Sequence, residues 1–136
     1  MTKQVDTQKY AEFVDAVTSK ESKGAEAFTN RLRDLYAEGL SIERLLTAAV
    51  GLSAESGEFT EIVKKIVFQG KPYNEENIFH MKRELGDICW YLAQACMALD
   101  TDFNEIIEMN VDKLKSRYPG GEFDVHFSEN RKEGDV

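Results

Sequence analysis

Apolar positions recur at intervals of three and four residues almost from end to end of this chain. That spacing predicts helices near 7–18, 25–37, 41–69, 75–99 and 103–117, followed by an irregular tail over 119–136. Strand signals are nearly absent: no stretch alternates cleanly, and neither Asn-Gly nor Asp-Gly occurs. The expected fold class is therefore all-α. The punctuation agrees. Ser41 is placed to cap the third helix, and Asn74 the fourth. Asp102, with Glu105 three residues on, resembles a capping box for the fifth. The only two prolines, Pro72 and Pro119, fall in the stop signals Gln69-Gly70-Lys71-Pro72 and Pro119-Gly120-Gly121. The first two helices carry Tyr10, Phe13, Val17 and Phe28, Leu32, Leu35, and read as amphipathic packing helices without chemistry of their own.

A helical wheel exposes an anomaly in the third helix. With Glu55 set at zero, Ala48, Leu52, Phe59, Val63 and Ile66 fall within about 20–80° of it, and Glu58 lies about 60° to the other side. The fourth helix repeats the layout. Met81, Ile88, Leu92, Ala95 and Leu99 fall within about 20–80° of Glu84, with Asp87 about 60° the other way. Each helix thus carries one carboxylate on its apolar stripe and a second one turn along. If the two helices run antiparallel, four carboxylates converge at one depth. Charged groups are rarely placed on a core face unless paired or metal-bound, and four neighbouring anions persist only with cations. Hard divalent ions with oxygen ligands answer that need, and Mg²⁺ suits a mixture of carboxylate, water and phosphate. In the fifth helix, Asn110, Lys113 and Arg117 border the stripe of Phe103, Ile107 and Leu114, which suits a polyphosphate tail. The two cations are equally the kind of last-turn residue that the helix dipole favours.

Composition narrows the options. The 136 residues amount to one domain, and 42% of them are hydrophobic. Acidic residues outnumber basic ones 25 to 17, for a net charge of −8, which argues against nucleic acid as a partner. Cys89 and Cys96 form no disulfide framework. The stretch MTKQVDTQKY has no apolar core of a secretory signal, and no apolar run reaches the ~20 residues of a membrane span. A cytoplasmic protein with no membrane partner is expected. His80 and His126 read as surface or satisfied histidines. Trp90 and Tyr91 suit packing or an oligomer interface better than a base pocket.

Glu55-x-x-Glu58, 25 intervening residues and Glu84-x-x-Asp87 resemble the paired acidic signature of MazG-like nucleoside triphosphate pyrophosphohydrolases. Leu85-Gly86-Asp87-Ile88 is similar to a family segment. So is the run Asn110-x-x-Lys113-Leu114-x-x-Arg117-Tyr118-Pro119, and so is Phe127-Ser128-x-Asn130-Arg131 in the tail. Many members carry a further glutamate where this chain has Ala54; Glu61, about 120° from Glu55, points away from the stripe. The resemblance implies a four-helix-bundle-like MazG fold with an additional N-terminal helix, in a single domain over 1–136 with its core at about 41–118. It implies hydrolysis of an NTP or dNTP to the monophosphate and pyrophosphate by water attack at the α-phosphorus. Glu55, Glu58, Glu84 and Asp87 would be catalytic and hold Mg²⁺, with Mn²⁺ as a substitute, and Glu55 or Glu58 would position or deprotonate the water. Asn110, Lys113, Arg117 and Tyr118 would bind substrate.

Two other readings stay open beside it: an alarmone-type nucleotide as the substrate, and a non-enzymatic helical adaptor with an acidic groove. A ferritin-like di-iron bundle is disfavoured, because neither Glu55 nor Glu84 is followed by histidine at the third position. A homo-oligomer, dimer or tetramer, is also expected. Phe79, Trp90 and Met97 lie about 140–180° around from the stripe of the fourth helix, and a helix apolar on two sides is buried on two sides. Relatives in the family assemble as dimers or tetramers.

Overall fold

The computed structural model describes residues 3–136; Met1 and Thr2 of the N-terminal stretch read above lie outside the described residues. The described chain is helical, without strands. Its elements are α1 (Thr7–Ala16), α2 (Lys20–Lys23), α3 (Ala25–Ala37), α4 (Ile42–Phe68), α5 (Glu75–Ala98), α6 (Phe103–Arg117) and α7 (Val125–Glu129). They divide into two units, Met1–Ile42 and Glu43–Val136. Two short helices depart from the expected pattern. One turn, α2, sits between the first two expected helices, closed by the Gly24 N–H on the Lys20 carbonyl. Another, α7, interrupts the tail expected to be irregular, and is started by Asp124, whose carboxylate accepts from the His126 N–H at 2.8 Å. Segments of four or five residues are too short to carry a periodicity.

The first unit holds α1–α3. Asp6 caps α1 by accepting from the Lys9 N–H at 3.1 Å. Lys23 reaches back to Asp15, donating to its carbonyl at 2.7 Å and pairing with its carboxylate at 3.3 Å. None of the three helices has a buried residue, and Tyr10, Phe13, Val17, Phe28 and Tyr36 are exposed. At the end of α3, Gly39 takes φ +92° and the Leu40 N–H returns to the Leu35 carbonyl. A left-handed residue is what this helix-ending motif requires.

The second unit is organised by α4 and α5, which pack antiparallel. The direction follows from who meets whom. Arg44 donates to the Gln94 carboxamide at 2.9 Å, Gly51 lies against the Tyr91 ring, and Glu55 gathers with Glu84 and Asp87. Along α4, Leu45, Ala48, Leu52, Glu55, Phe59, Ile62 and Ile66 are buried or half-buried at alternating steps of three and four, and Gly51 beside them is buried as well. At Gly51 a Cβ would stand 2.1 Å from the Tyr91 ring, so only glycine lets the helices approach this closely. Overpacking there costs about 1–3 kcal/mol.

The connection between α4 and α5 is tied at both ends. The Gln69 and Lys71 N–H groups both return to the Lys65 carbonyl around Gly70 at φ +72°. Asn74 caps α5 as expected, accepting from the Asn77 N–H at 3.0 Å. The buried Asn77 side chain then donates to the Pro72 carbonyl at 2.6 Å. Asp102 likewise caps α6, accepting from the Glu105 N–H at 2.9 Å. The reciprocal half of that capping box is absent: the Glu105 carboxylate takes the Thr101 hydroxyl instead. Apolar side chains of α6 remain exposed on several sides, among them Phe103, Ile107, Met109 and Leu114. Cys89 is exposed and Cys96 buried, and both are free thiols.

Candidate functional site

The antiparallel register of α4 and α5 is what builds the acidic group. Pairs such as Gly51–Tyr91 and Arg44–Gln94 set α4 position n against α5 position near 140 − n, which puts Glu55 opposite Glu84 and Asp87. Carboxylate oxygens of Glu55, Glu84 and Asp87 all lie within 4.8 Å of one another. Glu55 and Glu84 are half-buried on the facing stripes, while Asp87 is exposed at the margin. Glu58 stands one turn along from Glu55, exposed and outside this three-way group.

Electrostatics mark the same spot. The Glu55 carboxyl is held above the ordinary carboxylate value, first by a hydrogen bond shared with Glu84, then by desolvation, then by the charges of Asp87, Glu84 and Glu58. Each cause penalises an extra negative charge. The donor set is all oxygen, supplied from two rigid helices and open to water at Asp87, which fits a hard divalent cation that keeps water or phosphate ligands. Glu61 stands apart. It is engaged by Lys64 at 3.2 Å and Lys65 at 3.4 Å on its own helix, and those cations hold its carboxyl below the usual value. His80 places Nε2 3.4 Å from Glu84 Oε1. The sequence carried a signal for this contact, since His80 and Glu84 are four apart on one helix.

The cationic residues of α6 are gathered elsewhere. Arg117 makes a two-pronged ion pair with Asp135, Nε to Oδ2 at 2.8 Å and Nη2 to Oδ1 at 2.7 Å. Lys113 donates to the Val136 carbonyl and lies 3.9 Å from Asp135 Oδ1. Both side chains of the Arg117–Asp135 pair are about nine-tenths buried, at 11% and 10% exposure. Their hydrogen bond to each other is the main reason the Asp135 carboxyl titrates low and the Arg117 guanidinium high. Asn110 and Lys113 line a cavity of about 480 Å³ with residues 132–136, and none of the four carboxylates lines it. Tyr118 ends α6 and packs on Phe123, ring centroids 5.7 Å apart. The seven residues of α4, α5 and α6 expected to face one site thus fall in two places within the single chain. Trp90 meets the Tyr91 ring edge-on at 5.0 Å, and Tyr91 spends its face on Gly51, so it serves helix packing. Asp135 went unnoticed in the sequence because its partner is 18 residues away and no periodicity links them.

The MazG nucleotide pyrophosphohydrolase domain model matches residues 43–121 of the chain. The chain is also similar to the Gene 37 protein of Mycobacterium phage L5, 38% identical over 82 residues that cover 60% of this chain and 72% of that protein. No solved structure matches it. No helix among the described residues is long and apolar enough to cross a membrane.

Proposed function

This chain belongs to the MazG nucleotide pyrophosphohydrolase family, and from that premise we propose that it hydrolyses nucleoside or deoxynucleoside triphosphates to the monophosphate and pyrophosphate. The family points to a nucleotide pyrophosphohydrolase in general. The observation that carries the finer reading is the meeting of Glu55, Glu84 and Asp87 from two helices. That oxygen-only group, already short of compensating charge, fits Mg²⁺, with Mn²⁺ as a substitute. Such an ion supplies Lewis acidity toward phosphoryl oxygens and neutralises their charge.

The chain's own residues do the rest. Glu84 and Asp87 would hold that ion from α5. Glu55, whose carboxyl titrates above the ordinary carboxylate value beside Glu84, accepts the proton of the attacking water, and Glu58 orients that water from the exposed next turn. Lys113 and Arg117 clamp the phosphates that leave, Asn110 takes a sugar or phosphate oxygen, and Tyr118 borders them. In our reading the working core spans about 41–118 and the protein acts in the cytoplasm, with no nucleic acid or membrane as partner.

A homo-oligomer belongs to the same proposal. Among the described residues only Ala48, Ile62 and Cys96 are buried hydrophobics, whereas Phe79, Trp90, Met97, Ile107 and Met109 are all more than half exposed. Apolar surface of that extent, on both α5 and α6, is the mark of an interface. Light scattering should give a multiple of 15.5 kDa; a fully active 15.5 kDa species would reject the dimer or tetramer.

A panel of NTPs and dNTPs with Mg²⁺, scored for pyrophosphate, tests the activity. Release of pyrophosphate with the monophosphate is expected. Orthophosphate and the nucleoside diphosphate as first products would reject attack at the α-phosphorus.

A further inference from the structure

The Arg117–Asp135 pair is a finished anion site, and its anion comes from the chain itself. Arg117 presents its fork to both oxygens of Asp135, at 2.8 and 2.7 Å, and Lys113 adds a second cation 3.9 Å from Oδ1. A planar fork plus a point cation is the arrangement that recognises phosphate as readily as carboxylate. The turn that delivers Asp135 is built for the purpose. Gly134 takes φ +86°, a conformation that side chains other than glycine rarely adopt, and the Asp135 N–H closes on the Lys132 carbonyl at 3.0 Å.

We propose that residues 132–135 form an anionic latch, in which Asp135 occupies the Lys113–Arg117 pair until the triphosphate of the substrate displaces it. This rests on the reading of Lys113 and Arg117 as the phosphate clamp. One carboxylate carries one negative charge; a triphosphate carries several over the same span, so it outcompetes the latch once it reaches both cations. Until then the latch keeps the buried guanidinium paired and lowers the fraction of clamp open to ligand. A site that is competent in only about one molecule in five binds its ligand about five-fold more weakly. The latch therefore sets a threshold: a ligand displaces Asp135 only when it brings more negative charge to the two cations than one carboxylate does.

Asp135→Asn removes the charge and keeps the shape; Gly134→Ala strains the turn and keeps the charge. Both should lower KM for the triphosphate roughly five-fold with kcat within about two-fold. Both should also tighten binding of inorganic tripolyphosphate, measured by calorimetry without metal or turnover. Tripolyphosphate added to the parent should speed amide exchange at residues 133–136. A KM that rises or stays put in Asp135→Asn, or tripolyphosphate binding no tighter in either variant, would overturn the latch and make Asp135 a support for Arg117. The binding arm separates this from the proposed activity. A parent that releases no pyrophosphate from any triphosphate rejects the activity, while tripolyphosphate affinity in the parent, Asp135→Asn and Arg117→Gln still decides the latch.

Discussion

Two charged groups in the second unit show opposite solutions to the same problem. Between α4 and α5, Glu55, Glu84 and Asp87 bring carboxylates within 4.8 Å of one another, and among the described residues none of the three pairs with a lysine or arginine; His80 Nε2 stands 3.4 Å from Glu84. Between α6 and the tail, Arg117 and Lys113 are matched by Asp135 and the Val136 carbonyl. The first group is incomplete and gains from a ligand. The second is complete and must give up a partner to accept one. Under the proposed function a metal ion would bind the first as added stability, whereas phosphate would bind the second by exchange, with only the difference in affinity as gain.

The largest effect should come from the incomplete group. Glu84→Gln is expected to lower pyrophosphate release by at least about a hundred-fold, because a lost ligand misplaces water and phosphate together. Near-normal Mg²⁺-dependent turnover in that variant would remove Glu84 from the site. Arg117→Gln strikes the complete group. It should raise KM for the triphosphate about ten-fold or more while leaving Mg²⁺ binding in place. It should also free the tail, read as faster proteolysis after residue 130. Equal KM in variant and parent would mean that Arg117 only anchors Asp135.

Melting experiments then set the two groups against each other. Saturating Mg²⁺ should raise the parent's melting temperature by roughly 5–10 °C, the amount expected of a ligand at about a hundred times its Kd. In chelator Glu84→Gln should melt above the parent and respond less to Mg²⁺. A parent indifferent to both Mg²⁺ and chelator would mean that Glu55, Glu84 and Asp87 form no metal site.

The smallest effect is on pH. The Glu55 carboxyl titrates higher in the folded chain than its ordinary 4.5, so its anion is penalised only in the folded state. Metal-free protein should therefore gain stability from Glu55 as pH falls from neutral toward 4.5. Asp135 and Glu61 work the other way. Their carboxyls titrate below 3.8 and 4.5 respectively, and the stability they contribute is lost as pH falls through those lowered values. In chelator, Glu55→Gln should melt above the parent at pH 7 and by a shrinking margin toward pH 5. A margin independent of pH would show that Glu55 is not strained by its neighbours.

The same contrast shows what could be read without coordinates. Glu55 and Glu84 sit on apolar stripes, and that conflict between charge and periodicity is visible in the residues alone. So are the long helices: α3, α4, α5 and α6 lie within a residue of their expected spans, because caps such as Asn74 and Asp102 and breakers such as Gly70 act over three or four residues. The sequence also carried the family, through motifs in the order this chain keeps them. Local chemistry of this kind is determined by neighbours along the chain.

What joins residues far apart was decided only by tertiary structure. The register that puts Glu55 against Glu84 and Asp87, yet leaves Glu58 one turn outside, depends on how closely α4 and α5 approach, and Gly51 against Tyr91 fixes that approach. Asp135 has no periodic relation to Arg117; the contact exists because a glycine turn at Gly134 folds the tail back on α6. A wheel gives the direction of a side chain from its own helix, but not what stands opposite, since that depends on packing and on turns whose ends meet through space.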